Sequence, residues 1–263
     1  MHQPLSYVHP QAELADNVVV EPFVTIHKDV IIDEGTWIGP HVTIMEGARI
    51  GKNCKIFPGS VISAVPQDLK YKGEKTTTEI GDNVIIREYV TINKGTEFSG
   101  TTKIGDNSML MAYVHIAHDC VIGKHVILAN NVNLAGHVEV DNWAILGGSV
   151  NVQQFTKIGK HAFISGGGGV NKDVPPYVKA ARFPLSYIGV NSVGMRRRGF
   201  DSKTINSILE IYRILFVRGY NTRNALKLIE AEIEDSREKD EITTFVRESV
   251  RGIMKGFAAS DNR

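Results

Sequence analysis

An aliphatic residue recurs at every sixth position over most of this chain. From Val8 the series runs Leu14, Val20, Ile26, Ile32, Ile38, Ile44, Ile50, Ile56 and Ile62, and it resumes at Ile80, Ile86 and Ile92. It then continues from Ile104 through Leu110, Ile116, Ile122, Leu128, Leu134, Val140, Leu146, Val152, Ile158 and Ile164 to Val170. A helix repeats its apolar face at 3.6 residues and a half-buried strand at two, so neither explains a period of six held in one phase. A solenoid of short strands does. Three hexapeptides make a triangular coil of eighteen residues, and each aliphatic side chain points inward and stacks on its equivalent one coil away, at about 4.8 Å. The 162 residues separating Val8 from Val170 correspond to nine such steps, a prism roughly 43 Å long at the strand spacing. Gly and Asn are expected at the corners, where the backbone needs unusual angles. An ordinary β-sandwich supplies no reason for one phase to persist so far.

Two segments break the period. Asp68 and Glu74 fall on the six-residue phase inside SAVPQDLKYKGEKTTT, and GTEFSGTTK interrupts again before Ile104. Both are polar and carry Gly or Pro, so residues 63–78 and 95–103 are expected as loops pushed out of the prism. Excursions from a rigid scaffold often carry binding residues; tolerated insertion is the alternative. After Val170 the period stops at Asp173-Val174-Pro175-Pro176-Tyr177. A first helix follows from about Asp201, with Ile205, Ile208, Leu209, Tyr212, Leu215 and Phe216 on one face and a stop at Gly219. A second is expected over about 222–235 and a third over about 240–255. The expected organisation is thus mainly β: a parallel β-helix over 1–185 and a small α-helical C-terminal domain over 186–263.

A formal net charge of +1 argues against a general nucleic-acid binder. Cys54 and Cys120 lie far apart with no CxxC pair, which favours a reducing compartment. No signal peptide and no membrane-length apolar run is evident, so a cytoplasmic location is expected.

Most of the nine histidines occupy variable outward positions and are expected to be solvated. The run around His115, His118 and Asp119 is different. Residues eighteen apart lie one above another, so Gly136 stacks over His118, Gln154 over Gly136, His137 over Asp119 and Asn133 over His115. An imidazole near its ordinary pKa can take a hydroxyl proton at neutral pH. A neighbouring Asp can fix its tautomer, and a Gly leaves a backbone N–H uncovered for an oxyanion. No Ser or Cys is obviously placed as nucleophile, so direct attack by an acceptor is the simpler course. A zinc site built on HxxH and a third His, and a structural ladder of stacked polar groups, remain alternatives.

The runs PQDLKY (66–71), HIAHDC (115–120), LANN (128–131), LAGHV (134–138), DVPPY (173–177) and RRGF (197–200) closely resemble the acyl-(acyl carrier protein)–UDP-N-acetylglucosamine O-acyltransferases, which open lipid A biosynthesis. The resemblance covers nearly the whole chain. It implies a left-handed parallel β-helix, a homotrimer with sites between subunits, no cofactor and no metal. It also implies transfer of a 3-hydroxyacyl chain from acyl carrier protein to the 3-hydroxyl of UDP-N-acetylglucosamine. His118 matches the family's general base, Asp119 the residue that orients it, and Gly136 the N–H that holds the thioester oxygen. Asp68, Lys70, His115, His137, Gln154, Asn191, Arg197 and Arg198 match substrate contacts, and Gly166 matches the region that sets acyl-chain length. Asn93, Gln153 and Val193 depart from the family pattern, at positions often occupied by His, His and an acidic residue. Residues 196–227 carry eight basic side chains against Asp201 and Glu210, a local +6 suited to an acidic carrier or a diphosphate. N-acyl and coenzyme A-dependent acetyl transferases of the same scaffold, a γ-class carbonic anhydrase and a non-catalytic scaffold are the other readings.

Overall fold

The computed structural model describes residues 5–256; His2 lies outside them. The hexapeptides form a parallel β-helix. Each contributes a short strand, such as Thr25–Ile26, His115–Ile116 or Phe163–Ile164, whose second residue is the aliphatic one and is buried. Among the described residues the strands make three sheets of nine, eight and eleven members. The first face carries His115–Ile116, the second Val121–Ile122 and the third Ile127–Leu128. A second inward position, two residues before each aliphatic one, takes smaller side chains: Val114, Val126, Val132, Ala144 and Ala162, all fully buried. Cys54 and Cys120 occupy this position, which explains two lone cysteines without redox or metal chemistry. At Thr36, Ser60 and Ser108 the hydroxyl in this position returns to the backbone, as where Thr36 Oγ1 donates to Gly51 O at 2.8 Å and Ser108 Oγ to Gly123 O at 3.0 Å.

The coil count differs from the expected nine steps. Partner residues are eighteen apart in most of the ladder, as in Ile26 with Ile44 and Ile116 with Leu134. Ile62, however, pairs with Ile92 and Ile92 with Ile116, offsets of 30 and 24. The two interruptions therefore add 12 and 6 residues (30 − 18 and 24 − 18), together one whole coil that never enters the prism. The first face has nine strands and so eight steps, about 38 Å of ladder.

The corners are not mainly Gly and Asn. Residues three beyond the inward aliphatic adopt positive φ whatever their type: Tyr89, Tyr113, Asp119, His125, His137, Trp143, Phe155, His161 and Tyr177 lie between 56° and 65°. That conformation costs an L-residue about 1–2 kcal/mol. Stacking offsets it, because the rings pile up coil on coil: Tyr89 on Tyr113 at 5.3 Å, His125 on Trp143 at 3.8 Å, His137 on Phe155 at 4.3 Å, and His161 on Tyr177 at 5.5 Å, each pair contributing about 0.5–1.5 kcal/mol. His161 is accordingly not solvated; it is 8% exposed. Burial, reinforced by the positive charges of Arg198 and Lys160, lowers its pKa to about 4.

Beyond the last coil, Val178–Ala181 continues the third face in parallel with Phe163–Ile164, and Ser186–Val190 returns antiparallel to it. Among the described residues four helices follow: α1 Ser192–Arg197, α2 Ser202–Phe216, α3 Thr222–Glu232 and α4 Arg237–Glu248. Leu209, expected on the apolar face of α2, is 39% exposed. The third expected helix is displaced: Ser236 caps α4 by accepting from Lys239 N, and the helix stops at Glu248. Residues 249–256 instead form a strap. Ser249 Oγ donates to Asp173 Oδ2, Met254 N donates to Asp173 O, and Lys255–Gly256 pairs with Ser186 and Tyr187. Among the described residues no helix is long and apolar enough to cross a membrane.

Ile86 is fully buried at mid-prism, so Ile86→Ala is expected to cost about 2–5 kcal/mol in denaturant unfolding. His161 carries a depressed folded pKa, so the unfolded chain binds its proton more readily between pH 6.5 and 4. Its penalty is absent above pH 6.5 and grows as pH falls toward 4, to on the order of 3 kcal/mol. His161→Phe should flatten the acid side of the stability–pH curve over that window.

Candidate active site

The corner between the first and second faces gathers the sequence-derived candidates. His118 N, Gly136 N and Gln154 N follow one another up this corner, and no acceptor faces the Gly136 N–H among the described residues. A Cβ placed on Gly136 would lie 2.6 Å from His118 Cε1, so only glycine lets the imidazole lie against the next coil. His137 N donates to His118 O at 3.0 Å, and Phe155 N to Gly136 O at 3.2 Å. Both Asp119 and His137 sit at positive φ, as the other corner residues of the prism do.

Asp119 is the electrostatic centre of this corner. Its side chain is fully buried and its Oδ2 lies 2.7 Å from His118 Nδ1, with the His118 ring 12% exposed. The carboxylate also accepts from Thr96 N at 2.9 Å, Thr96 Oγ1 at 2.7 Å, Ser99 N at 3.3 Å and Ser99 Oγ. Burial alone would raise its pKa; the hydrogen bonds from Ser99, His118 and Thr96 overcome that and lower it to about 2. Thr96 and Ser99 escaped the sequence reading. They lie in the second insertion, whose conformation no period governs; the one signal was two hydroxyls flanking an acidic-aromatic pair in GTEFS.

The His137 ring is 12% exposed, with Nδ1 3.8 Å from Asp119 Oδ2, beyond hydrogen-bond reach. Phe155 stacks on it and Phe98 meets it edge-on at 4.5 Å. Burial lowers its pKa, against the opposing pull of the Asp119 charge. The charges of Asp68 and Lys70, in the first insertion, also reach it, with opposite signs. On the first face His115 Nδ1 pairs with Thr91 Oγ1 at 2.8 Å, and burial lowers its pKa. The only thiol here, Cys120, is buried and pushed up to about 12 chiefly by burial. It is not a thiolate nucleophile at neutral pH.

His118, Asp119 and His137 offer three ligand-type atoms within 4.8 Å of one another. The carboxylate, however, is saturated by Thr96, Ser99 and His118, leaving no ordered lone pair for a cation. The donor set fits a held hydrogen-bond network better than a zinc site.

Other candidates lie elsewhere. Asn191 caps α1, accepting from Gly194 N and donating to His161 O at 2.9 Å. The Arg198 guanidinium lies 4.8 Å above the Trp143 ring. Trp143 and His161 belong to the corner between the second and third faces, so Asn191, Arg197 and Arg198 do not meet His118 within one chain. Gly166 belongs to the third corner, where a Cβ would lie 2.9 Å from Gly148 O. Of the departing positions, Asn93 is buried and donates to Val65 O, Gln153 is exposed, and Val193 is 59% exposed beside Arg197. The tail's positive charge is partly compensated: Arg213 and Arg218 meet Glu210, and Lys203 meets Glu234.

The comparisons with known proteins agree along the whole length. A family described as UDP-N-acetylglucosamine O-acyltransferase, domain 2, matches residues 173–254, and bacterial transferase hexapeptides match 29–64 and 101–136. An acyl-(acyl carrier protein)–UDP-N-acetylglucosamine O-acyltransferase of Neisseria meningitidis is 46% identical over 96% of this chain and 98% of its own. One of Syntrophobacter fumaroxidans is 40% identical over 96% and 98%. The crystal structure of a UDP-N-acetylglucosamine acyltransferase from Bacteroides fragilis superposes with a TM-score of 0.95 at 46% identity, covering 97% of this chain and 100% of that one. The Francisella novicida enzyme gives 0.95 at 40% identity, covering 99% and 96%. The chain is a left-handed parallel β-helix with a helical C-terminal part, and it belongs to the acyl-(acyl carrier protein)–UDP-N-acetylglucosamine O-acyltransferase family.

Proposed function

We propose that this protein transfers a 3-hydroxyacyl chain from acyl carrier protein to the 3-hydroxyl of UDP-N-acetylglucosamine, the first acylation of lipid A biosynthesis, in the cytoplasm. The observation that carries the chemistry is the His118–Asp119 pair beneath an uncovered Gly136 N–H. Asp119 accepts from His118 Nδ1–H, which fixes the tautomer and leaves the Nε2 lone pair available. Nε2 takes the proton of the sugar hydroxyl as its oxygen attacks the thioester carbon. Negative charge moves to the thioester oxygen, where the Gly136 N–H donates to it. Collapse of the tetrahedral species breaks the C–S bond, and the imidazolium returns its proton to the leaving thiolate. No covalent enzyme intermediate is required, consistent with the neutral, buried Cys120.

Substrate contacts are assigned to Asp68, Lys70, His115, His137 and Gln154 around this corner and to Asn191, Arg197 and Arg198 for the nucleotide. Because these two groups occupy different corners of one chain, a homotrimer that sets the Arg198 corner of one subunit against the His118 corner of the next would complete the site. In the last coil, Gly166 and the three glycines that follow it leave the third corner without side chains, in keeping with an acyl-chain passage whose end sets chain length. The positive charge around α1 and α2 suits the acidic carrier.

His118→Ala should lower transfer from 3-hydroxyacyl carrier protein to UDP-N-acetylglucosamine by at least the 10²–10⁴-fold typical of a lost general base, with the oligomer and its melting temperature preserved. Residual activity within tenfold of wild type would contradict the assignment.

A further inference from the structure

We infer that the insertion at 94–100 is built to hold and tune the His118–Asp119 pair, with Thr96 and Ser99 as its positioning residues. The inference rests on the reading of His118 as general base and deepens it.

The insertion is superfluous to the prism. It adds six residues between Ile92 and Ile116, yet the ladder on either side closes as it does elsewhere. It is nonetheless firmly fixed. Lys94 N donates to Ala64 O at 2.9 Å, Gly95 N to Thr77 O at 3.1 Å, Thr77 N to Gly100 O at 2.9 Å and Gly100 N to Thr96 O at 2.8 Å. A Cβ on Gly95 would lie 2.2 Å from Thr101 N, so the neck of the loop closes only on glycine. What this fixed loop presents inward is a set of donors aimed at one carboxylate: two N–H groups and two hydroxyls, with Thr96 itself 8% exposed. Thr102, just beyond the loop, accepts the Asp119 N–H at 2.9 Å and fixes the backbone as well.

A base that is already protonated cannot accept a proton. A buried carboxylate whose only partner is an imidazole favours the imidazolium strongly. Donors on the loop share the negative charge of Asp119 while its Oδ2 orients His118. The other titratable or charged groups nearby are His137 in the coil above, the neutral Cys120 thiol, the exposed Glu97 on the loop itself and, acting on His137, the opposed charges of Asp68 and Lys70 on the first insertion. None of these changes when a loop hydroxyl is removed, so a shift in the base's titration reports the lost donor.

The test is the pH dependence of kcat/KM in the full-length enzyme carrying Thr96→Val or Ser99→Ala, with Thr96→Ser as the conservative control. Losing a donor frees carboxylate charge for the imidazole, so the acid limb should move to higher pH by about half a unit or more. The KM for the nucleotide sugar should hold, and Thr96→Ser should restore the wild-type limb. Asp119→Asn should move the limb the opposite way. Ser99 is exposed, so its truncation leaves a folded protein even if Thr96→Val does not. An acid limb at the wild-type pH in Ser99→Ala and in every folded Thr96 variant overturns the inference while leaving the base reading intact. A wild-type enzyme with no acid limb, or an active His118→Ala, overturns the base reading itself.

Discussion

The parallel hydrogen-bond ladder between successive coils determines where the outward groups of the prism can be. His115 N reaches Val132 O, Ala117 N reaches Leu134 O, and Ala135 N reaches Val152 O, each within 2.9–3.1 Å. With the backbone held in this way, a residue's neighbours above and below are set by counting eighteen along the chain wherever no insertion intervenes. Chemistry on such a scaffold is arranged in columns. The column at the first corner places His118, Gly136 and Gln154 at intervals of one strand spacing, and its parallel column places Asp119, His137 and Phe155. In the proposed mechanism a thioester carbon lies between His118 Nε2 and the Gly136 N–H, and the ladder supplies the spacing of a few ångströms that this needs.

The same regularity exacts a conformational cost at the corners. Positive φ is imposed there on aromatic, histidine and aspartate residues alike, and stacked rings compensate along the second and third corners. At the first corner the compensation is mixed. Asp119 has no ring to stack; its carboxylate is held by the insertion at 94–100. His137 gains the Phe155 stack and the edge of Phe98 from the same insertion. Local strain at this corner is thus stabilised by groups that also define the site.

How much of this was legible in the sequence follows from where the period holds. Between Ile104 and Val170 every step is eighteen residues, so the stacking of Gly136 over His118 and His137 over Asp119 could be counted directly. Upstream, the coil count came out one too high, because the period alone does not tell an insertion from a coil. The second inward phase is hidden in the sequence because Ser, Thr and Cys alternate there with Val and Ala; the shared property is size, not polarity. Thr96 and Ser99 were illegible because a loop's hydrogen bonds depend on its path. The strand hairpin and the strap over 249–256 were missed for a related reason: Asp173, far away in sequence, accepts the strap's hydrogen bonds and overrides the helical pattern that continues past Glu248. The family resemblance supplied the reaction, which no spacing in the chain specifies.

The division of candidates between two corners makes the central claim open to a direct measurement. His118 and Arg198 stand on different corners of one subunit, and a site completed between neighbours requires one residue from each. The decisive experiment co-assembles His118→Ala subunits with Arg198→Ala subunits, each inactive alone, and assays acyl transfer. In the proposed trimer, random mixing should restore about a quarter of wild-type sites, since each interface needs one intact residue from either side. Mixed oligomers with no activity above the two parents would contradict the account.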